Sequence, residues 1–129
     1  MKIVYKTEIS SAHRILNYNG KCKNLHGHNY LILVEIESDE LDENGFIMDF
    51  SKIKKIVNEL DHKTILQKGD PLIEKLGDQV LFIMDEPPSC ENISKIIAQK
   101  ISDNLRNYKK IKVKVWENRK SYCEFELNN

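Results

Sequence analysis

The sequence predicts an α+β fold in which one sheet carries two helices on the same face. The prediction rests on the order of the hydrophobic patterns: two alternating segments, a helical segment, a variable middle segment, a second helical segment and two more alternating segments. Paired strands on either side of the helices, without strict strand–helix alternation, are typical of this class. At 129 residues the chain fits a single domain, residues 1–129, that can bury a core without disulfide bonds.

The first two segments have the two-residue period of half-buried strands. The first runs from Lys2 to Ile9, and its apolar positions are Ile3, Tyr5, Thr7 and Ile9. After a polar loop, the second runs from about His28 to Ser38, with the apolar face Tyr30, Ile32, Val34 and Ile36. Counting back by twos along that face reaches His28 and His26, so an extended chain would project both imidazoles from one side.

The first helix is predicted from apolar residues at helical spacing in "DFSKIKKIVNELDH". Asp49 or Ser51 can cap its first turn, and we expect it to end near Asp61 and His62. The segment that follows, residues 67–86, is variable in character, and Val80 to Met84 could form a short strand within it.

A second helix is predicted after Pro87 and Pro88, with Ser89 as its N-cap. Its apolar stripe is Ile93, Ile96, Ile97, Ile101 and Leu105. Strands resume at Ile111 to Glu117 and Ser121 to Leu127, joined by a tight hairpin. By strand parity, Glu117 extends the apolar row of the first of these two strands.

Charge and cysteine content exclude several classes of protein. Twenty basic and twenty acidic residues give a formal net charge of zero, which predicts no nucleic-acid or membrane partner, and no apolar run approaches the roughly 18 residues of a membrane span. The N-terminus alternates instead of forming the apolar core of a signal peptide, so we expect a cytoplasmic protein. Three cysteines, Cys22, Cys90 and Cys123, are an odd count without CxxC spacing, which favours reduced thiols over a disulfide framework.

The histidines are the strongest candidates for a functional site. The chain has only four, and His26 and His28 form a His-x-His pair on one strand face. Such a pair can converge on one metal ion, although it can equally well face solvent. His13 can supply a third ligand if the first two strands pair, and Gly27 allows close approach. Three histidines leave coordination positions open, which is the catalytic form of a zinc site.

Three further features are candidates for chemistry. Cys22 could be a fourth metal ligand, a thiol that transfers protons beside the metal, or a free thiol in a polar loop; Lys21 and Lys23 flank it and favour the thiolate. Glu117 could mark a solvated strand end or clamp a guanidine-like edge with two hydrogen bonds. The adjacent residues 61 and 62, an aspartate and a histidine, could form a proton relay or a simple helix C-terminus.

Six motifs, in order, resemble those of the 6-pyruvoyl-tetrahydropterin synthase family along essentially the whole chain: "SSAHR", "CKNLHGHNY", "GFIMDFSKIK", "LDHK", "PSCENIS" and "VWE". The resemblance implies the tunnelling (T) fold, with a four-stranded antiparallel sheet (ββααββ) and two helices on one face. It also implies trimers whose sheets close into a barrel, stacking of two trimers into a hexamer, and active sites between subunits.

The same resemblance implies a role for each candidate. Zinc would be bound by His13, His26 and His28. Cys22 would be the catalytic base, and Asp61 with His62 would complete the proton relay. Glu117 would anchor the pterin, and Ser89 stands where the family has a threonine of its "PTxEN" segment, keeping the hydroxyl but losing a methyl group. Arg14, Lys21 and Lys23 are candidates for binding the triphosphate by position only.

Cysteine spacing favours one activity within the family. Tetrahydrobiopterin-type synthases resemble Cys-x5-His-Gly-His, whereas the bacterial 6-carboxytetrahydropterin synthases of queuosine biosynthesis resemble Cys-x3-His-Gly-His, the form found from Cys22 to His28. The resemblance therefore implies conversion of 7,8-dihydroneopterin triphosphate to 6-carboxy-5,6,7,8-tetrahydropterin, acetaldehyde and triphosphate. The alternatives are a 6-pyruvoyl-tetrahydropterin synthase, a non-catalytic oligomer that binds pterin or metal, and the metal-free aldolase on the same fold.

Overall fold

Six strands form one mixed sheet in the computed structural model, which describes residues 1–129. The strands are β1 (Lys2–His13), β2 (His26–Glu37), β3 (Thr64–Gln67), β4 (Leu81–Met84), β5 (Lys110–Trp116) and β6 (Tyr122–Asn128). Their order across the sheet is β4-β3-β1-β2-β5-β6. Strands β1, β2, β5 and β6 pair antiparallel in succession, whereas β3 is parallel to both β1 and β4.

The predicted four-stranded antiparallel sheet is wrong in strand number. The four predicted strands form an antiparallel unit, and the short strand expected at Val80 to Met84 is present as β4, but β3 was missed. Strand β3 has only four residues, and its adjacent side chains Ile65 and Leu66 are both fully buried. A segment buried on both sides has no two-residue alternation, so sequence periodicity could not reveal it.

The pairing of β1 with β2 extends both strands beyond their predicted ends. The register runs from Lys2 opposite Glu37 to His13 opposite His26. Strand β1 therefore continues past Ile9 to His13, and β2 begins two residues before the predicted start. Throughout β1 and the central part of β2, more exposed residues alternate with more buried ones, as expected of strands with one face covered.

Two helices, α1 (Phe50–Asn58) and α2 (Cys90–Asp103), cover the apolar face of the sheet. The Asp49 carboxylate accepts a hydrogen bond from the Ser51 amide at 2.8 Å, and the Ser89 hydroxyl accepts one from the Asn92 amide at 3.2 Å. Both predicted N-caps are confirmed. Helix α1 ends earlier than expected, and a turn then carries the chain to His62, which has a φ of 56°.

The hydrophobic core lies between the two helices and the sheet. Its fully buried members include Ile32, Val34, Ile36, Ile53, Val57, Ile97, Ile101, Ile111, Val113 and Val115. Burying each such aliphatic side chain contributes roughly 1.5–3 kcal/mol, which fixes the strand faces and hence the direction in which the polar strand ends project. None of the helices is both long enough and apolar enough to cross a lipid bilayer.

Candidate metal centre and adjoining cavity

Three histidines meet where β1 ends and β2 begins. His13 is the last residue of β1 and lies opposite His26, while His28 is two residues further along the same face of β2. One nitrogen from each ring lies within 4.8 Å of one nitrogen from each of the others. The convergence predicted from strand parity is therefore present, with His13 as the third member.

Backbone carbonyls orient two of the three rings. Nδ1 of His13 donates to the carbonyl of Pro88 at 2.7 Å, and Nδ1 of His26 donates to the carbonyl of Asn24 at 2.6 Å. Because a carbonyl oxygen can only accept, Nδ1 carries the proton in both neutral rings. The unprotonated Nε2 atoms then face each other at 3.1 Å. This orientation by an outer partner is typical of metal-binding histidines.

The donor set fits a metal ion. Two facing lone pairs repel each other unless a cation lies close to both, and the 3.1 Å separation approaches the roughly 3.3 Å between nitrogen ligands of a tetrahedral zinc ion. His28 adds a buried Nε2 that has no hydrogen-bond partner. This unpartnered nitrogen can therefore serve as a third ligand beside the two converging ones.

Burial keeps two of the rings neutral. Desolvation lowers the pKa of His13 below its usual 6.5, although the Pro88 carbonyl and the Glu117 carboxylate act in the opposite direction. Desolvation likewise lowers the pKa of His28, and Glu117 opposes it there as well. Neutral imidazole is the form that binds metal, so the local electrostatics agree with the geometry.

A cavity of about 470 Å³ meets the histidine cluster at His13, and four of the predicted site residues line it: His13, Cys22, Ser89 and Glu117. Cys22 lies in a short helical turn, Lys21–Lys23, and its carbonyl accepts a hydrogen bond from the amide of Ile15 at 2.7 Å. Its half-buried thiol therefore faces a cavity of a size suited to a small molecule.

Glu117 lies where β5 ends and continues the apolar row of that strand, as parity predicted. Its Oε1 is 4.0 Å from Nε2 of His13, and the side chain is 29% exposed. The carboxylate is thus accessible from the cavity. It can accept two hydrogen bonds from a ligand with adjacent N–H donors.

Asp61 and His62 lie outside this cavity. Nδ1 of His62 lies 3.0 Å from Oδ1 of Asp61, and the aspartate also accepts a hydrogen bond from the Ser10 amide at 3.0 Å. Burial raises the pKa of Asp61, but the bonds from Ser10 and His62 outweigh it, and the pKa lies below its usual range. His62 is 82% exposed and lines a separate cleft that also contains His28. A single chain therefore does not bring His62 to Cys22.

Arg14 is held by a buried partner. Its guanidinium forms two hydrogen bonds with the Asp70 carboxylate, whose side chain is 1% exposed. These bonds keep the pKa of Asp70 below its usual range. Of the three cations proposed for triphosphate binding, Arg14 is therefore already neutralised, whereas Lys21 and Lys23 are exposed beside Cys22.

Sequence reasoning missed several groups around the site. The carbonyls of Pro88 and Asn24 have no sequence signal, because any residue can supply one. Tyr30 is fully buried with no partner for its hydroxyl, and its ring contacts those of His13 and His28 edge-on. Parity could have found it, since it continues the His26–His28 face. Cys90 and Cys123 also line the cavity.

Comparison with known proteins shows one family. Residues 2–128 match the family described as 6-pyruvoyl tetrahydropterin synthase. A Pyrococcus horikoshii relative, provisionally named a 6-carboxy-5,6,7,8-tetrahydropterin synthase, is 39% identical over 95% of this chain and 88% of its own length. Two further relatives are named 6-carboxy-5,6,7,8-tetrahydropterin synthase without that proviso. The Aquifex aeolicus protein is 31% identical over 82% of this chain and 76% of its own length. The Rickettsia felis protein is 28% identical over 96% of this chain and 99% of its own length.

Solved structures have the same fold. The 6-pyruvoyl tetrahydropterin synthase of Plasmodium vivax superposes with a TM-score of 0.75 at 18% identity, covering 100% of this chain and 98% of its own. The Caenorhabditis elegans enzyme gives a TM-score of 0.62 at 21% identity, covering 100% and 95%. At these identities the likeness concerns the fold alone.

Proposed function

The chain belongs to the 6-pyruvoyl tetrahydropterin synthase family, and from this we propose that it is a zinc-dependent 6-carboxy-5,6,7,8-tetrahydropterin synthase. The proposed reaction converts 7,8-dihydroneopterin triphosphate and one water to 6-carboxy-5,6,7,8-tetrahydropterin, acetaldehyde and triphosphate. One observation carries the proposal: His13, a member of a three-histidine cluster, lines a cavity that also contains a thiol and a carboxylate. The relatives' names and the Cys-x3-His-Gly-His spacing favour the carboxy product over the pyruvoyl product.

The metal would be held by His13, His26 and His28 through the ring nitrogens that converge. Zinc bound there would supply Lewis-acid chemistry, which lowers the pKa of substrate hydroxyls. The protein's own contribution is orientation: the Pro88 and Asn24 carbonyls fix two of the rings before any ligand arrives. Such preorganisation reduces the cost of ordering the site on binding.

Glu117 would anchor the pterin ring. The ring presents an amino group and a ring N–H side by side, and a carboxylate accepts from such a pair with two parallel bonds. Because Glu117 is only 4.0 Å from His13, a ring bound to it would place its side chain next to the histidine cluster. Ser89, on the same cavity wall, is a second candidate for contact with the substrate.

Cys22 would act as the base. A thiolate in the cavity could remove the proton from the side-chain carbon next to the ring, and the thiol so formed could return it elsewhere. Positioning the base and the anchored ring in one cavity converts proton transfer into an intramolecular step. Lys21 and Lys23 flank Cys22 in the sequence, and their exposed side chains would attract the triphosphate.

Asp61 and His62 would act on a substrate bound by a neighbouring subunit. The pair is preorganised by its 3.0 Å contact and by backbone hydrogen bonds to Ser10, and the imidazole is largely exposed. Since His62 and Cys22 line different cavities of one chain, a shared site requires two chains. We therefore propose inter-subunit active sites in a trimer barrel stacked as a hexamer, acting in the cytoplasm in queuosine (deazapurine) biosynthesis.

The product assay tests this function. Purified protein, loaded with zinc, is incubated with 7,8-dihydroneopterin triphosphate, and the pterin and any acetaldehyde are identified by mass spectrometry. Formation of 6-carboxytetrahydropterin with one equivalent of acetaldehyde is expected. Pyruvoyltetrahydropterin as the only product would instead assign the protein to triphosphate elimination alone. Pterin binding without turnover would indicate a non-catalytic oligomer.

A further inference from the structure

Two cysteines that the proposed reaction does not use face each other on the cavity wall. Sγ of Cys90 and Sγ of Cys123 are 3.0 Å apart, about 1 Å longer than the roughly 2.05 Å of a disulfide bond. Both residues are half-buried and line the cavity that contains Cys22 and Glu117. They are remote in sequence, so only the packing of α2 against β6 brings them together.

The surroundings of the pair favour reaction at Cys123. The pKa of Cys123 is lowered by its contact with the Cys90 thiol and by the nearby Ser94 hydroxyl, which lies 3.6 Å from its sulfur. The Cys90 thiol donates to the carbonyl of Val115 at 3.0 Å. The pKa of Cys90 is raised while that of Cys123 is lowered, so Cys123 is the sulfur that loses its proton first, with Cys90 held 3.0 Å away.

We propose that Cys90 and Cys123 form a reversible disulfide in the wall of the substrate cavity when the protein meets a peroxide. The Cys123 thiolate attacks one oxygen of hydrogen peroxide, the O–O bond breaks, and a sulfenic acid and hydroxide form. The Cys90 sulfur then attacks the Cys123 sulfur, the S–O bond breaks, and the oxygen leaves as water. In total, two thiols lose two electrons and two protons, and one peroxide is reduced to two waters.

The bond would join the first turn of α2 to β6 beside two groups of the site. Cys90 follows Ser89, the N-cap of α2, and Pro88, whose carbonyl holds the ring of His13. Cys22 forms no hydrogen bond with either sulfur, although it lines the same cavity. The two thiols that peroxide would join are therefore Cys90 and Cys123. This modification goes beyond the proposed synthase reaction.

Mass spectrometry of the whole protein tests the pair. The reduced chain is treated with a small excess of hydrogen peroxide, and remaining thiols are then blocked with N-ethylmaleimide under denaturing conditions. Before blocking, we expect a mass lower by two hydrogen atoms. After blocking, we expect one modified thiol, at Cys22, and a cross-linked pair of peptides containing Cys90 and Cys123. Dithiothreitol should reverse the bond fully. The Cys22→Ser variant should form the same bond with no blocked thiol.

Single replacements provide the matched controls. Cys90→Ser and Cys123→Ser should each retain two thiols that react with N-ethylmaleimide after peroxide treatment. A disulfide that includes Cys22, three reactive thiols after treatment of the unaltered chain, or sulfinic acid in place of the bond would overturn the proposal. The mass readout does not depend on turnover, so its failure is distinguishable from failure of the synthase assay.

Discussion

Nε2 of His13 lies 3.1 Å from Nε2 of His26, while a backbone carbonyl accepts from the Nδ1 atom of each ring. The two facing nitrogens have no proton between them in the neutral protein, so the contact is favourable only with a cation nearby. This relationship indicates a metal centre more directly than the His-x-His motif, because it also fixes which nitrogen of each ring is free.

Replacement of a ligand histidine should remove the metal. We expect His13→Ala and His28→Ala each to weaken zinc binding by at least about 100-fold, since even outer partners of ligands change affinity by 10- to 100-fold. Elemental analysis after dialysis measures the zinc content. His62→Ala is the matched control, because His62 is not a member of the three-histidine cluster, and it should retain zinc.

Loss of the Cys22 thiol should separate catalysis from metal binding. We expect Cys22→Ala to retain zinc and to lower kcat by about 10²- to 10⁴-fold, the usual contribution of a positioned proton-transfer group. Zinc content and turnover are measured on the same preparation. Loss of zinc from this variant would make Cys22 a metal ligand, and unchanged turnover would exclude it as the base.

Neutralising Glu117 should weaken substrate recognition. Glu117→Gln keeps the shape of the side chain but removes the charge and one acceptor, and each charged hydrogen bond contributes about 1.5–3 kcal/mol. We therefore expect kcat/KM to fall by about 10- to 100-fold with zinc content unchanged. Glu124→Gln, on the outer surface of β6, is the control for a general effect of charge. Equal kinetics for both variants would argue against the anchor.

Mixed oligomers should recover activity if active sites lie between subunits. Cys22→Ala and His62→Ala chains are each expected to be nearly inactive alone. Co-expressed and purified through two different tags, they should regain roughly a quarter of the sites, because a site is complete only where an intact Cys22 meets an intact His62 of a neighbour. Absence of recovery would place both groups in one subunit.

Breaking the Arg14–Asp70 pair should destabilise the fold in a pH-dependent way. Asp70→Asn leaves the guanidinium without its buried partner, and we expect the free energy of unfolding at pH 7 to fall by about 3 kcal/mol. Because folding lowers the pKa of Asp70 below 3.8, its contribution is fully present above about pH 4 and is lost as the pH falls through the folded-state pKa. Urea unfolding at several pH values measures the difference between the two proteins.

Glu86→Gln provides the comparison for that experiment. It breaks a pair with Lys95 in which both side chains are about half exposed, and such pairs contribute little to stability. Its unfolding curve should stay close to that of the unaltered protein at every pH. An Asp70→Asn curve that also matched would show that the buried pair does not stabilise the fold.

The periodicity of apolar residues in the sequence was sufficient to predict the strands and helices that pack against the core. Burial on one face imposes a two-residue period on β1, β2, β5 and β6 and a helical period on α1 and α2, and all six were predicted. The same parity placed Glu117 at the end of its apolar row and His26 with His28 on one face. It failed for β3, because Ile65 and Leu66 are adjacent and both buried.

Sequence patterns could not predict which groups the topology brings together. The pairing of Arg14 with Asp70 and the contact of Cys90 with Cys123 join segments that are distant in the chain and carry no mutual spacing signal. The separation of His62 from Cys22 depends on which cavity each of the two turns that carry them faces. The family resemblance implied roles for Cys22 and His62 but not their positions in one subunit.

The direct pairing of His13 with His26 makes the position of these two histidines independent of the loop that connects them. A residue inserted between Arg14 and Leu25 would lengthen an exposed turn and shift Cys22, yet the ladder of strand hydrogen bonds would keep both imidazoles in place. A slip of the ladder by one residue would have the opposite effect, turning one imidazole to the far side of the sheet. The length of the loop can therefore change the position of Cys22, while the strand alignment keeps the histidine cluster in place.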